Sequence, residues 1–300
     1  MIEIRDVSKQ FARIPAVNHV SFTVEDNAVF GLIGVNGAGK STLLRMIGGI
    51  YKPDSGDILM DQEPVFDNVR IKKDIFYISD EQYYLDNASL TDVKNYYNMV
   101  YSRFDKPRFD SMIRQVNLDP KQKIHTYSKG MRKQLSMIAG ICSGTRYLLC
   151  DETFDGLDPV IRRMVKELLR YEMTNRKFTP IVASHNMREL EDICDRIGIL
   201  YRGGMILSKD LEEVRLRLHK VQCVYKNQET ADAVFRNLDI IRKEQRGSLH
   251  TITVRSSREE LLQKLKEGNP VFCEMIPLSL EEIFINETEA AGYEITNIIG

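Results

Sequence analysis

Residues Gly34 to Ser41 read G-V-N-G-A-G-K-S, a fit to G-x-x-x-x-G-K-[ST]. Glycines at 34, 37 and 39 let the backbone bend tightly and turn its N–H groups inward, which makes a cradle for phosphate. Lys40 is placed to reach the β- and γ-phosphates of a nucleotide, and the Ser41 hydroxyl is a ligand for Mg²⁺. Asn36, Ala38 and Thr42 complete the loop's expected contacts with the nucleotide. Upstream, Val29-Phe30-Gly31-Leu32-Ile33 reads as a buried strand, and downstream Ser41-Thr42-Leu43-Leu44-Arg45-Met46-Ile47 reads as a helix. That helix directs its N-terminus, the positive end of its dipole, at the phosphates. A glycine-rich turn can match by accident, but strand before and helix after is the context that the chemistry needs.

A second element agrees. Arg146-Tyr147-Leu148-Leu149-Cys150-Asp151-Glu152 is an apolar run that ends in two adjacent carboxylates. A buried strand delivers such acids at its C-terminal end, where ligands bind in open α/β sheets. Asp151 suits the Mg²⁺ shell. Glu152, one residue on, is a candidate base to orient and polarise an attacking water.

With these residues in view, the chain resembles the ATP-binding cassette (ABC) ATPases. Tyr127-Ser128-Lys129-Gly130-Met131 is similar to that family's L-S-G-G-Q signature, keeping the serine and the second glycine. Phe154-Asp155-Gly156-Leu157-Asp158-Pro159 resembles its D-loop. Ile181-Val182-Ala183-Ser184-His185 resembles the strand that carries its switch histidine. Phe11 stands where the family keeps an aromatic ring against adenine. The likeness covers about residues 1 to 208, and the ordered set is far more specific than any single motif.

The resemblance implies ATP and Mg²⁺ as cofactors, and an α/β P-loop core with a mixed sheet and a helical signature subdomain. It implies that Ser128 and Gly130 cap the γ-phosphate of ATP bound on a second ATPase subunit, with Asp158 also near nucleotide and His185 on the γ-phosphate. A serine hydroxyl and glycine N–H groups at a helix head do form an anion site; Ser128 also reads as a plain N-cap, which is compatible. His185 taken alone reads equally as a core histidine.

Two departures from the family pattern stand out. Thr153 follows Glu152 where proline is common, with little consequence for chemistry. The glutamine usual after the strand Ile75-Phe76-Tyr77-Ile78 falls on Asp80 when counted from the strand, and on Gln82 when counted back from Leu90-Thr91. Gln82 is the preferred metal or water contact, because another carboxylate beside Glu152 adds repulsion.

Composition fits a soluble ATPase. A length of 300 residues is more than one ordinary core, so one large domain, 1–208, with a helical part about 84–145, and a smaller one, 209–300, is expected. Net charge is −1, so bulk electrostatics give no reason to expect nucleic acid. The pairs Arg132-Lys133 and Arg162-Arg163 read as solvated helix faces. Five cysteines without metal spacing read as reduced core residues. Met1-Ile2-Glu3-Ile4-Arg5 opens a strand and shows no signal-peptide pattern. No apolar run approaches the length of a bilayer span. The membrane part of a transporter would then be a separate chain, with this one at the cytoplasmic face.

Residues 1 to about 80 are expected to alternate strand and helix, with a hairpin near Lys52 to Asp57. Tyr96, Tyr97, Tyr101 and Phe104 fall at helical spacing, as a packed stripe. Tyr83 and Tyr84 read either as contacts for a helix of the membrane subunit, by resemblance, or as core aromatics. Beyond residue 208 the pattern predicts a strand over Val221–Tyr225, a helix over Thr230–Leu238 and a hairpin about Arg246-Gly247-Ser248. A helix capped by Ser257 and Glu260, a strand from Val271 and a helix from Ser279 through Phe284 follow. That β-α-β-β-α-β order is a ferredoxin-like split unit, without catalytic clusters. The whole reads as the ATP-hydrolysing subunit of an ABC transporter, of the exporter type with separate transmembrane permease subunits. The alternatives are a soluble ABC ATPase of translation or DNA repair, whose usual second cassette or long coiled coil is missing here, and a P-loop kinase.

Overall fold

Two antiparallel strands open the chain with no helix between them, which departs from the alternation expected for its first 80 residues. In the computed structural model, residues 1–120 and 122–292 are described. Strand β1 (Ile2–Phe11) pairs with β2 (Ile14–Val24), from Ile2 opposite Val24 to Phe11 opposite Ile14. Ile2 and Ile4 face inward by simple alternation. A register shift at Asp6, whose φ is 50°, then returns Val7 to the core.

The strand β3 (Phe30–Ile33) is buried throughout, and helix α1 (Lys40–Ile47) begins directly after the phosphate loop. Strand β4 (Ser55–Met60) pairs with β1, so residues 52–57 lead the chain into the sheet without forming the expected hairpin. The hairpin comes one turn later, between β4 and β5 (Glu63–Pro64). There Asp61 and Gln62 both take positive φ, 50° and 70°, as a two-residue type I′ turn requires. The proline and glycine of residues 53–56 mark a turn, but cannot say which strand comes next as partner.

After α2 (Val69–Lys72) and β6 (Ile75–Ile78) come α3 (Leu90–Val100), α4 (Lys106–Gln115) and α5 (Lys129–Cys142), with no strand among the described residues between them. Ser89 and Asp92 close a reciprocal capping box at the start of α3. Tyr97, Tyr101 and Phe104 pack as a stripe with Phe76, whose ring lies 5.1 Å from that of Tyr97. Tyr96, from the same stripe, is 57% exposed.

Next are β7 (Tyr147–Asp151), α6 (Pro159–Asn175), β8 (Thr179–Ser184), α7 (Met187–Glu191), β9 (Arg196–Tyr201) and β10 (Gly204–Asp210). The second sheet has the order β10-β9-β3-β8-β7-β6, parallel from β9 to β6. Its strands are near-continuous apolar runs because helices and the β1–β2 sheet cover them. Register pairs Ile33 with Ser184, Asp151 with Ala183 and Ile78 with Cys150. The C-terminal ends of β3, β8, β7 and β6 therefore lie side by side.

The framework divides after Ser208 into two units. The second holds α8 (Leu211–Arg217), β11 (Leu218–Val224), α9 (Gln228–Phe235), β12 (Ile240–Arg246), β13 (Leu249–Arg255), α10 (Arg258–Glu267), β14 (Phe272–Ile276) and α11 (Leu280–Ala290). Its antiparallel sheet runs β12-β13-β11-β14, the order of a split β-α-β-β-α-β unit. Ser279 and Glu282 cap α11 reciprocally, and the helix continues past Phe284 to Ala290. At α10 only half of the expected box forms: Ser257 accepts from Glu260 N, while the Glu260 carboxylate pairs with Lys264 at 2.7 Å. Past the end of α10 the left-handed residue is Asn269, with φ 46°, one position after Gly268. A Cβ on Gly268 would stand 2.6 Å from Tyr225 and Val234, so close packing is what that glycine serves. Cys142, Cys150, Cys194 and Cys223 are buried, while Cys273 is exposed rather than in the core.

Candidate active site

The order of the parallel strands puts four loops on one edge. The loop after β3 is the phosphate cradle; β8, its neighbour, ends at His185; β7, one strand further, ends at Asp151 and Glu152; β6 leads to Ser79–Gln82. The loops after β3, β7 and β6 border a cavity of about 650 Å³ lined by Asn36, Gly37, Gly39, Lys40, Ser41, Thr42, Asp80, Asp151 and Glu152, among others; His185 is not in its lining and reaches the site through Glu152.

Close backbone approach explains two of the loop's glycines. A Cβ on Gly34 would stand 2.3 Å from the carbonyl oxygen of Leu200, and one on Gly39 would stand 2.1 Å from that of Ala16. Gly39 also has φ 103° and serves as the N-cap of α1 with no side chain to satisfy the first N–H groups. Those donors remain available to an anion.

Lys40 is 5% exposed, and its ammonium donates to the carbonyls of Gly34 at 2.8 Å and Val35 at 3.3 Å. It also pairs with Glu152 Oε1 at 3.2 Å. The other carboxylate oxygen of Glu152 is held 2.8 Å from His185 Nδ1 and 3.3 Å from the His185 N–H. Glu152 takes φ 49°, a conformation uncommon for a side chain of its size. Ser41 Oγ donates to Asp151 Oδ1 at 2.8 Å, and Tyr77 OH donates to Oδ2 at 3.0 Å. Burial pushes the Asp151 carboxyl above its ordinary range, against the hydrogen bonds of Ser41 and Tyr77 that draw it down. A hard oxygen pair, one buried carboxylate and one hydroxyl, is the kind of donor set that Mg²⁺ uses together with phosphate oxygens.

The remaining expected residues lie elsewhere. Asp158 caps α6, accepting from the N–H groups of Val160 and Ile161 at 3.0 Å each. Ser128 is exposed and caps α5 through Met131 N at 3.2 Å; neither it nor Gly130 lines the phosphate cavity. Phe11 is 43% exposed, packed edge-on against Tyr51 at 5.6 Å, and the cavity wall nearest it in sequence is Ile14-Pro15-Ala16. The Gln82 amide turns back onto the carbonyls of Ser79 and Asp80, at 2.6 and 3.2 Å, and lines a neighbouring cavity instead. Asp80, the position set aside on grounds of repulsion, is the one on the phosphate cavity. Its charge is met by Lys129 at 3.3 Å and Lys133 at 3.4 Å, which removes that objection.

Three residues near the site carry no sequence signal of their role. Tyr77 sits in a strand that reads as merely apolar. Lys133, read as a solvated position, is 0% exposed. Arg162, read the same way, donates to Glu189 at 3.3 Å, and buried Glu189 accepts from Ser184 just before the histidine turn. Arg163 does remain on a solvated face.

A phosphate cradle and a carboxylate pair at the same edge of one parallel sheet, with β8 between their strands, define a P-loop nucleotide hydrolase. The ABC transporter family pattern matches residues 17–155. The chain is 30% identical over 285 residues to the ABC transporter ATP-binding protein YtrB of Bacillus subtilis (strain 168), covering 95% of this chain and 97% of that one. It is 31% identical to the methionine import ATP-binding protein MetN 1 of Staphylococcus aureus (strain N315), over 71% of this chain and 67% of that one. With the xylose/arabinose import ATP-binding protein XylG of Sulfolobus acidocaldarius it shares 31% identity, over 72% of this chain and 90% of that one. Among solved structures, an ATP-binding subunit of an ABC transporter superposes with TM-score 0.66 at 22% identity, covering 72% of this chain and 92% of that one. A dimeric ATP-binding cassette in a post-hydrolysis state, bound to ADP and Pi, gives 0.63 at 20%, covering 70% and 99%. The chain belongs to the ATP-binding proteins of ABC transporters, and its cassette is an ATPase.

Proposed function

We propose that the cassette hydrolyses ATP with Glu152 as the base that polarises water, Lys40 and the loop N–H groups as the phosphate cradle, and His185 as the group that orients Glu152. The observation that carries this reading is the junction of Lys40, Glu152 and His185 at the ends of three parallel strands, with contacts of 3.2 and 2.8 Å. Bound Mg²⁺ would supply charge neutralisation on the β- and γ-phosphate oxygens, held by Ser41 and Asp151. Entry of the γ-phosphate gives Lys40 a second anion, so the Glu152 carboxylate is freed to accept a hydrogen bond from water. His185 Nδ1 keeps that carboxylate in place while water attacks the γ-phosphorus, and ADP leaves on the opposite side.

Ser128 and Gly130 lie outside the chain's own cavity, so they are assigned to the γ-phosphate of a second ATPase subunit, a copy or a paralogue, with Asp158 near the same seam. Phe11 is assigned to adenine. Asp80 takes over the loop role first given to Gln82.

Among the described residues no helix is long and apolar enough to cross a membrane. In this reading the subunit acts at the cytoplasmic face on separate transmembrane permease subunits. Their docking helix would enter the groove of about 300 Å³ formed by Tyr83, Tyr84, Leu85, Val93 and Tyr96, where Tyr83 is 83% exposed. Export is the direction proposed; relatives named for import share the same cassette, so transport by the reconstituted complex decides it.

The test is Glu152→Gln, which keeps size and hydrogen bonding but removes the base. Turnover should fall by a factor on the order of a hundred or more while ATP still binds. The variant should collect as an ATP-bound dimer on gel filtration. Near-normal hydrolysis would overturn the assignment.

A further inference from the structure

Lys133 is a buried cation in the signature helix that the reading above leaves without a part. An ammonium with 0% exposure is costly unless each of its N–H groups is matched. Its partners lie on three separate segments: the carbonyl oxygen of Glu152, the carbonyl oxygen of Asp155 at 2.9 Å and the Asp80 carboxylate at 3.4 Å. These are the end of β7, the loop before α6 and the turn after β6. Lys129, one helical turn earlier, reaches the same Asp80 oxygen at 3.3 Å from the exposed side.

The Glu152 contact is to its backbone, and that backbone is the strained one. With φ 49°, Glu152 persists in a left-handed turn only where its surroundings hold it. In that turn its carboxylate faces Lys40 and His185. Asp80 borders the phosphate cavity and the cavity behind it, which Lys129 and Arg132 also line. The structure records no direct bond between Asp80 and Glu152; Lys133 touches both.

We propose that Lys133 is a positioning residue for hydrolysis: its ammonium holds the Glu152 turn that aims the carboxylate at the γ-phosphate, and ties that turn to Asp80. A shift of the loop after β6 then changes the aim of the base through Lys133. The inference rests on Glu152 being the base.

The full-length chain is tested as Lys133→Met, Asp80→Asn and the pair, by steady-state hydrolysis across ATP concentrations and by thermal unfolding. Lys133→Met should lower kcat about tenfold and leave KM within about twofold, the signature of an interaction that matters to chemistry and not to nucleotide binding. Asp80→Asn should lower kcat about threefold, and the pair should be no worse than Lys133→Met alone, because both changes cut one linkage. Lys133→Gln, which keeps amide donors for the two carbonyls, should recover part of the loss, and it stands in if Lys133→Met fails to fold. Unchanged kcat, a raised KM at unchanged kcat, or losses that multiply in the pair would each overturn the proposal. If Glu152→Gln leaves turnover intact, the reading of the base falls; if Glu152→Gln collapses turnover and Lys133→Met does not, this inference alone falls.

Discussion

Helices α1 and α5 both start where an anion is expected, and they are built in opposite ways. Helix α1 begins on Gly39, with no side-chain cap, and its first residue Lys40 is buried in a cavity of the same chain. Helix α5 begins on Ser128, whose hydroxyl already caps Met131 N, at an exposed position that borders no nucleotide cavity of its own chain. One start leaves its first donors without a side-chain cap inside a cavity; the other has its cap in place at the surface. Under the assignment proposed for Ser128, the two helix starts serve different nucleotides, one held by each of two chains. A second subunit is the arrangement that uses both.

The comparison breaks most severely at Lys40. Its charge meets phosphate already present on ATP and more that develops in transfer, so Lys40→Ala should abolish hydrolysis and weaken nucleotide binding together. Equilibrium binding of a fluorescent ATP analogue alongside phosphate release would show both; intact turnover would mean the loop at Gly34 is not the active one. Ser128→Arg should separate the two. Bulk and charge at the start of α5 should collapse hydrolysis, while each chain keeps its affinity for ATP through the Gly34 to Ser41 loop. Full activity of Ser128→Arg would remove the case for a shared site. Mixing it with Lys40→Ala sharpens the point: in a homodimer one composite site carries both lesions and the other neither, so recovered activity marks a site built from two chains.

The smallest effect is expected at Phe11. Removing a ring stacked on adenine should raise KM for ATP by an amount worth roughly 1–3 kcal/mol, a figure taken from bases stacked on aromatic side chains, with kcat little changed. A variant that loses stability with no change in KM would instead assign the ring to its packing with Tyr51.

The phosphate loop and the carboxylate strand were legible because each is a local pattern whose chemistry needs adjacent residues. Gly34 to Ser41 needs a tight turn, and Asp151-Glu152 needs only a strand that ends in acids. The strands and helices beyond residue 208 were legible for a similar reason, since Ser279 with Glu282 and the turn at Gly247 are short-range signals. Partner choice was not. The proline-glycine turn before β4 announced a bend but not that β4 would return to β1, some fifty residues earlier. Lys133 beside Arg132 had the look of a solvated face, because a helix shows its buried side only once something packs on it.

The loop after β6 shows the boundary between the two kinds of knowledge. Sequence alone placed either Asp80 or Gln82 there, and favoured Gln82 on the ground that two nearby carboxylates repel. The tertiary structure brings Lys129 and Lys133 from α5 against Asp80, which supplies the opposite charge that the argument lacked. By itself the sequence determined that this chain holds nucleotide phosphate and an acid pair, because those functions are set by bonds between neighbours in the chain. Only the fold decided that Asp80 and not Gln82 borders the phosphate cavity, where Glu152 points and what holds it there. Those depend on groups dozens of residues apart, and their energies exist only when the strands and α5 are in place.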